Sequence, residues 1–359
     1  MHCDVLVIGA GPGGCAAALA LRQAGWRVIL VERLAGPADK LCGEFLSPEG
    51  VQSLGRLGLG EALGVFPRIG ELLVSSLSGQ CWQASLPNAG LGSSRRRLDA
   101  LLLAHCAAAG VEVVQGEKVR RMEGNLAEGF RTTLKDAPLR ARLVVGAWGR
   151  QGRAGKKGEL MALKVHARGQ WPGVELHSFP GGYAGLCQVG GNEMNLCLLT
   201  RVDAFRRAGG DCRRFSAEVM SQNSLLASRL EEMSPDWDQA LAAANLTFGP
   251  SALALDGMLL VGDAGGGIAP LCGDGMAMAL RAGELLAPLG DRFLRGALGG
   301  PALSAQYAQR WQGEFRLRLR LGGLLQRVLM HPGGTHAALT LLRRVPWLGQ
   351  QLFSWTRGK

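Results

Sequence analysis

The chain has 359 residues, 47% hydrophobic and 19% charged, which excludes a disordered polymer and leaves room for a large core, in two domains or in one with a sizeable insertion. Its 54 glycines follow no repeat, which excludes collagen and solenoids; a formal charge of +11 without an aromatic-interleaved basic motif excludes a nucleic-acid binder. Nine cysteines with neither a CxxC pair nor zinc spacing exclude a disulfide framework and provide no metal site. With no basic leader and no uninterrupted apolar run of about 18 residues, the expectation is a cytoplasmic protein without a transmembrane segment.

Asp4–Ile8 reads D-V-L-V-I, the short β-branched run of a buried parallel strand. Gly9-Ala10-Gly11-Pro12-Gly13-Gly14 follows at once, then a small-residue helix from Cys15 to Ala24, a stop at Gly25, and a second strand, Val28–Val31, ending at Glu32. Strand, G-x-G-x-x-G, helix, strand and acid in about thirty residues form a dinucleotide cradle. Gly9 makes the turn, Gly11 admits a pyrophosphate, and Gly14 packs helix on strand, while free N–H groups at the helix start face the phosphates. Glu32 is placed for the adenosine ribose hydroxyls, which disfavours a 2′-phosphate there.

Further on, Val111–Val114 and Val119 read as a strand and turn that bring backbone toward the adenine. Leu163-Lys164-Val165-His166-Ala167-Arg168 and Val174-Glu175-Leu176-His177 alternate as half-buried antiparallel strands. A turn-rich Phe179–Leu186 segment and a strand at Met194–Leu199 come next. Leu259–Asp263 is a strand running into the glycine-rich Gly265–Gly275 loop, with a helix starting near Gly273. This second cradle selects FAD over NAD, because only FAD has a ribityl chain and an isoalloxazine reaching far beyond the first motif. Asp263 is expected to accept a ribityl hydroxyl, and the helix start after Pro270 to face the N1/C2 edge of the ring. From Ala302 the chain reads as helical. An apolar stripe of Leu319, Leu321, Leu324, Leu325, Val328 and Leu329 among Arg316, Arg318, Arg320 and Arg327 either covers the substrate chamber or lies on a membrane surface.

Gly262-Asp263-Ala264 through Pro270-x-x-Gly273-x-Gly275 resembles the signature of FAD-dependent monooxygenases of the p-hydroxybenzoate hydroxylase type. Lys40-Leu41-Cys42-Gly43-Glu44 resembles the K-x-C-G-G segment of the geranylgeranyl-reductase-like branch, with Glu44 in place of the second glycine. Ser94–Asp99 resembles its R-x-x-(F/L)-D helix start, and Val144–Arg150 its A-D-G segment, with Trp148 where the aspartate would be. The resemblance implies an α/β fold: a FAD-binding Rossmann-type, glutathione-reductase-like domain (residues 1–65, 95–158 and 250–300), an inserted antiparallel-sheet substrate domain (66–94 and 159–249), and C-terminal helices (301–359). Trp148 counts against direct use of NAD(P)H, which stays in view as reductant, and the missing W-x-W-x-I-P segment counts against a halogenase.

The expected cofactor contacts are Gly9, Gly11, Pro12, Gly13 and Gly14 with Glu32 and Arg33, then Lys40, Cys42 and Gly43. Arg95, facing a pyrophosphate oxygen or only solvent, and Val119 follow. Gly262, Asp263, Pro270, Gly273, Gly275 and Met276 complete the set. His166, Lys164 and Cys42 are the catalytic candidates. His166 and Lys164 either look into the substrate cavity, with His166 exchanging protons near neutral pH, or face solvent. Cys42 is a filler, a proton donor or a redox thiol. The leading expectation is hydroxylation of an electron-rich aromatic through a flavin C4a-hydroperoxide. A prenyl or polyprenyl C=C reductase is the alternative, and an oxidase of a partner protein's side chain a further one. The substrate is accordingly a small or lipid-like organic molecule, or a partner protein; the sequence leaves the oligomeric state open.

Overall fold

The structure, a computed structural model, describes residues 1–150, 158–345, 347–349 and 351. Its first sheet is built on the parallel strands His2–Ile8, Val28–Glu32, Glu112–Gln115, Ala137–Gly146 and Met258–Leu260. His2–Ile8 lies between Val28–Glu32 and Ala137–Gly146, so the glycine turn after Ile8 emerges at the carboxyl edge of the sheet's centre, where doubly wound sheets bind ligands. The helix Pro12–Gln23 starts there and packs on Gly275–Leu294, the helix of the second motif. Small residues permit this: a Cβ at Gly283 would come 2.6 Å from the Ala17 nitrogen. Both glycine-rich motifs therefore open on the same edge.

The second sheet runs Leu241–Leu246, Leu160–Arg168, Glu193–Arg201, Gly182–Gln188, Gly173–Phe179, Arg68–Ser75, Cys81–Gly92 and Phe45–Leu46. It is antiparallel except where Gly173–Phe179 joins Arg68–Ser75 in parallel, two strands between which the chain adds Glu112–Gln115 and Ala137–Gly146 to the first sheet. Gly182–Gln188 is a full strand, although its glycines suggest a turn; only Pro180–Gly181 turns. Gly182 is there because a side chain would strike the Leu199 carbonyl across the ladder.

Alternation along these strands sorts their side chains between two faces. Val174 and Leu176 face a cavity between the sheets, whereas Glu175 and His177 point the other way. That opposite face is not solvated. Helices between Val202 and Met233 cover it, and Phe179, Phe215, Met220 and Leu226 fill the layer. Glu175 takes bonds from Arg229 at 2.9 and 3.0 Å and lies 3.0 Å from His177 Nε2, while Ser75 Oγ lies 2.8 Å from His177 Nδ1. Burial opposes the Glu175 charge, but the bonds from His177 and Arg229 outweigh it and lower its pKa from 4.5 to about 2. A carboxylate depressed in the folded state contributes stability above its unfolded pKa and loses it as pH falls through the folded one. Wild-type melting temperature is thus expected to fall between about pH 4.5 and 2, with a shallower slope in Glu175→Gln, as differential scanning fluorimetry would show.

The long helix Gly300–Leu329 docks through Leu303, Tyr307, Trp311, Phe315, Arg318 and Gly322. Tyr307 donates to the Leu260 carbonyl at 2.8 Å, and buried Arg318 pairs with Asp274 at 3.1 Å. The stripe expected from the sequence is split: Leu329 is buried, Leu325 and Val328 line the cavity, and Leu324 is exposed. The helix Pro332–Arg344 follows, and residues 347–349 and 351 are helical as well; residues 346, 350 and 352–359 of the expected helical segment lie outside those described.

Candidate active site

A single cavity of about 1180 Å³ runs between the two sheets. That exceeds the ~300–1,000 Å³ of an ordinary small-molecule site, as expected where a dinucleotide and a second molecule share one space. Gly9, Gly11, Pro12, Gly13, Gly14, Glu32 and Arg33 line one part of it. Gly9 has φ +106°, and a Cβ on Gly14 would overlap the Gly9 carbonyl oxygen, so these two glycines are required by the turn itself. Gly11 differs. An added Cβ there meets nothing nearer than Arg95 Nη2 at 3.9 Å, and no side chain caps the helix that follows. The Pro12–Gln23 helix therefore presents uncapped N–H groups to open space. Glu32 accepts from the amides of Ala10 at 2.9 Å and Leu34 at 3.1 Å, one on each oxygen, which leaves acceptor capacity toward the cavity.

Arg95 reaches the same cradle, held by two bonds to Asp99 at 3.0 and 3.1 Å, and Lys40 Nζ shares that carboxylate at 2.7 Å. Burial works against the Arg95 charge, and Asp99 outweighs it, holding the guanidinium above its ordinary pKa. Two cations thus converge beside the uncapped helix start. Asp99 was readable only as part of a helix start; its four-residue spacing from Arg95 was the signal for an orienting pair. Val119 is not among the cavity residues. Its side chain packs against the hydrophobic cluster that includes Leu6, Ile29 and Phe130.

The second cradle lines the cavity through Gly262, Asp263, Pro270, Gly273, Gly275 and Met276. Gly262 and Gly273 have φ near +60°, and a Cβ on Gly275 would enter open space. The Gly275–Leu294 helix also lacks a side-chain cap. Asp263 accepts from Arg150 Nε at 2.9 Å. Trp148, in the place of the aspartate of the resembled family, turns its ring over Gly146.

Lys40, Cys42 and Gly43 line the wall between the cradles, and Gly43 has no neighbour within 4 Å of a Cβ position. Lys164 and His166 are not among the cavity-lining residues, and Lys164 does not face solvent either, at 2% exposure. The Cys42–Glu44 loop lies over them. Glu44, fully buried with φ +59°, accepts at Oε1 from Lys164 Nζ (2.6 Å) and the Arg95 amide (2.7 Å), and its Oε2 lies 2.6 Å from His166 Nε2. A side chain in the left-handed region is unfavourable. Here three polar partners hold it, where the resembled branch carries glycine. Asn195 ties down the loop by donating to the Cys42 carbonyl at 3.0 Å.

The rest of the wall is mostly apolar, with Tyr183, Asn245, Thr247 and Thr335 as its polar members. The second sheet contributes Leu72, Val74, Ala162, Val174, Leu176 and Leu199; the C-terminal helices contribute Leu325, Val328, Ala338, Leu339 and Leu342. Cys187 and Cys197 lie in the sheet wall, and burial pushes the Cys197 thiol up to about 12 and the Cys187 thiol higher still, so both stay protonated.

A Rossmann-type sheet with two uncapped helix starts on one cavity defines a dinucleotide-binding flavoprotein, and the chain belongs to the FAD binding domain family, whose model matches residues 2–289. It is an FAD-dependent oxidoreductase. Digeranylgeranylglycerophospholipid reductase 2 of Methanopyrus kandleri is 27% identical over 343 residues, covering 88% of this chain and 83% of that protein. Menaquinone reductase of Mycobacterium tuberculosis is 26% identical over 352 residues, covering 89% and 84%. Among solved structures, the flavin-dependent brominase Bmp2 superposes with a TM-score of 0.83 over 99% of this chain and 93% of its own, at 18% identity. The residues present fit FAD: open positions at Gly11, Gly43 and Gly275, two free helix starts, two cations at the first cradle and a carboxylate at each end.

Proposed function

We propose that this FAD-dependent oxidoreductase reduces a C=C bond in a long apolar chain of a lipid-like substrate. The observation that carries the reading is the predominance of apolar side chains in the wall, with Leu72, Val74 and Leu176 from the second sheet and Leu325, Leu339 and Leu342 from the C-terminal helices against the few polar groups of Tyr183, Asn245, Thr247 and Thr335. The relatives that match nearly nine-tenths of the chain are named as reductases of a lipid and of a quinone, which supports the same choice. Hydroxylation of an aromatic, the leading expectation from sequence, rests on resemblance and on a fold likeness at 18% identity.

Bound FAD supplies the hydride. Gly9–Gly14 with Arg95 and Lys40 hold the pyrophosphate, Glu32 the ribose, and Asp263 with the Gly275 helix start the ribityl and ring end. The apolar wall excludes water and aligns the chain along the cavity. In this reading Cys42, which lines the cavity on the loop between the cradles and accepts the Glu44 N–H at Sγ (3.4 Å), delivers the proton that completes the reduction. Lys164 and His166 act on this loop through Glu44 rather than on the substrate.

The test is anaerobic turnover of a geranylgeranyl lipid by FAD-loaded protein reduced with dithionite or NAD(P)H, followed by mass spectrometry. A gain of two hydrogens per double bond supports the proposal. Turnover that requires O₂ and adds an oxygen atom replaces it with hydroxylation. Filling the wall with Leu176→Trp is expected to cut turnover at least ~10-fold while FAD content stays unchanged.

A further inference from the structure

Of the eight large apolar side chains exposed among the described residues, four lie in the C-terminal helical part of the chain: Leu317, Leu324, Leu341 and Trp347. Leu317 and Leu324 are seven residues apart, two turns along one face of the Gly300–Leu329 helix, and Arg320 and Arg327 continue that face. Arg343 and Arg344 close the Pro332–Arg344 helix, Arg344 one turn beyond Leu341. All four of these arginines are exposed, and none has a carboxylate partner among the described residues, unlike buried Arg318 on the same helix. The sequence contains no Asp or Glu from Phe315 to its last residue. This acid-free, leucine-and-arginine surface forms the outer side of helices whose inner side, at Leu325, Val328, Ala338 and Leu342, lines the apolar cavity.

We propose that this outer face docks on the surface of an anionic lipid bilayer. Arginines meet lipid phosphates while the leucines and Trp347 enter the acyl boundary, a pairing of charge and apolar area that a nucleic-acid backbone would leave half unused. Docking places the membrane one helix away from the cavity, so a lipid-like molecule would reach the flavin without crossing water. Docking itself requires only the arginines and the exposed apolar side chains, whichever reaction the flavin supports.

The experiment is co-sedimentation of FAD-loaded protein with phosphatidylcholine vesicles, with and without phosphatidylglycerol, at low and high salt. Binding to the phosphatidylglycerol vesicles that weakens with salt is expected. Arg343→Glu with Arg344→Glu is expected to reduce partitioning at least ~30-fold, since each basic residue at an anionic surface contributes about 1 kcal/mol. Leu324→Ser with Leu341→Ser tests the apolar share and is expected to weaken binding several-fold. FAD content and melting temperature should stay at wild-type values in both pairs, because all four positions are exposed. Wild-type protein left in the supernatant with both vesicle types would overturn the proposal. So would variants that sediment like wild type, or a lipid-free dimer in analytical ultracentrifugation that the leucine pair dissolves.

Discussion

Gly11→Ala is expected to leave a stable protein whose affinity for FAD falls about 10- to 100-fold, while Gly14→Ala is expected not to fold. The two glycines are three residues apart in one motif, yet their surroundings differ. At Gly14 a methyl group would overlap the Gly9 carbonyl oxygen and also press on Ala147, so the turn between strand and helix would have to open. At Gly11 the backbone, with φ −73° and ψ 177°, suits any residue, and an added Cβ has only the end of Arg95 nearby, at 3.9 Å. The methyl therefore intrudes only on what occupies the cavity. An overpacked contact costs about 1–3 kcal/mol, equivalent to the stated loss of affinity. The check is FAD titration followed by fluorescence, with the cofactor-free melting temperature as the folding control. Wild-type affinity in Gly11→Ala would mean that the pyrophosphate binds elsewhere.

Glu44→Ala is expected to be the most damaging substitution that leaves both glycine cradles intact. Removing the carboxylate strands the Lys164 ammonium at 2% exposure, and breaking one side of a buried ion pair costs about 3–5 kcal/mol. It also frees the loop that presents Cys42 and Gly43. Denaturant unfolding should show the stability loss, and the flavin-to-protein absorbance ratio should fall with it. Glu44→Gly combined with Lys164→Met is expected to recover most of the stability, because it removes both the stranded charge and the strain of a side chain at φ +59°. If the double variant is no more stable than Glu44→Ala, the ion pair is not what secures the loop.

What was legible in the sequence was local. The strand, glycine turn, helix and acid from Asp4 to Glu32 are set by neighbours within a few residues and take the expected form; in the second motif the strand ends earlier than expected, at Leu260, Gly262–Ala264 makes a 3-10 turn, and the helix begins at Gly275. The alternation at 163–168 and 174–177 identified strands correctly but not what covers them. Lys164 and His166 meet Glu44 from more than a hundred residues away, and Glu175 meets Arg229 from 54. Polar side chains in alternation suggest water; here other parts of the chain replaced it. Glycine density at 179–186 suggested turns because sequence cannot distinguish a glycine that bends from one that makes room, as Gly182 does. The substitution of Glu44 for glycine was visible, but its left-handed backbone and its three partners were not.

The strand Phe45–Leu46 pairs with Leu91–Gly92 of the second sheet immediately after the loop that lines the wall between the cradles. Only two residues separate Cys42 from hydrogen bonds belonging to the other layer. The wall between the cradles and the second sheet are therefore mechanically linked. Any displacement of the Cys42–Glu44 loop is carried within two residues into the pairing of Phe45 with Gly92 and Leu46 with Leu91.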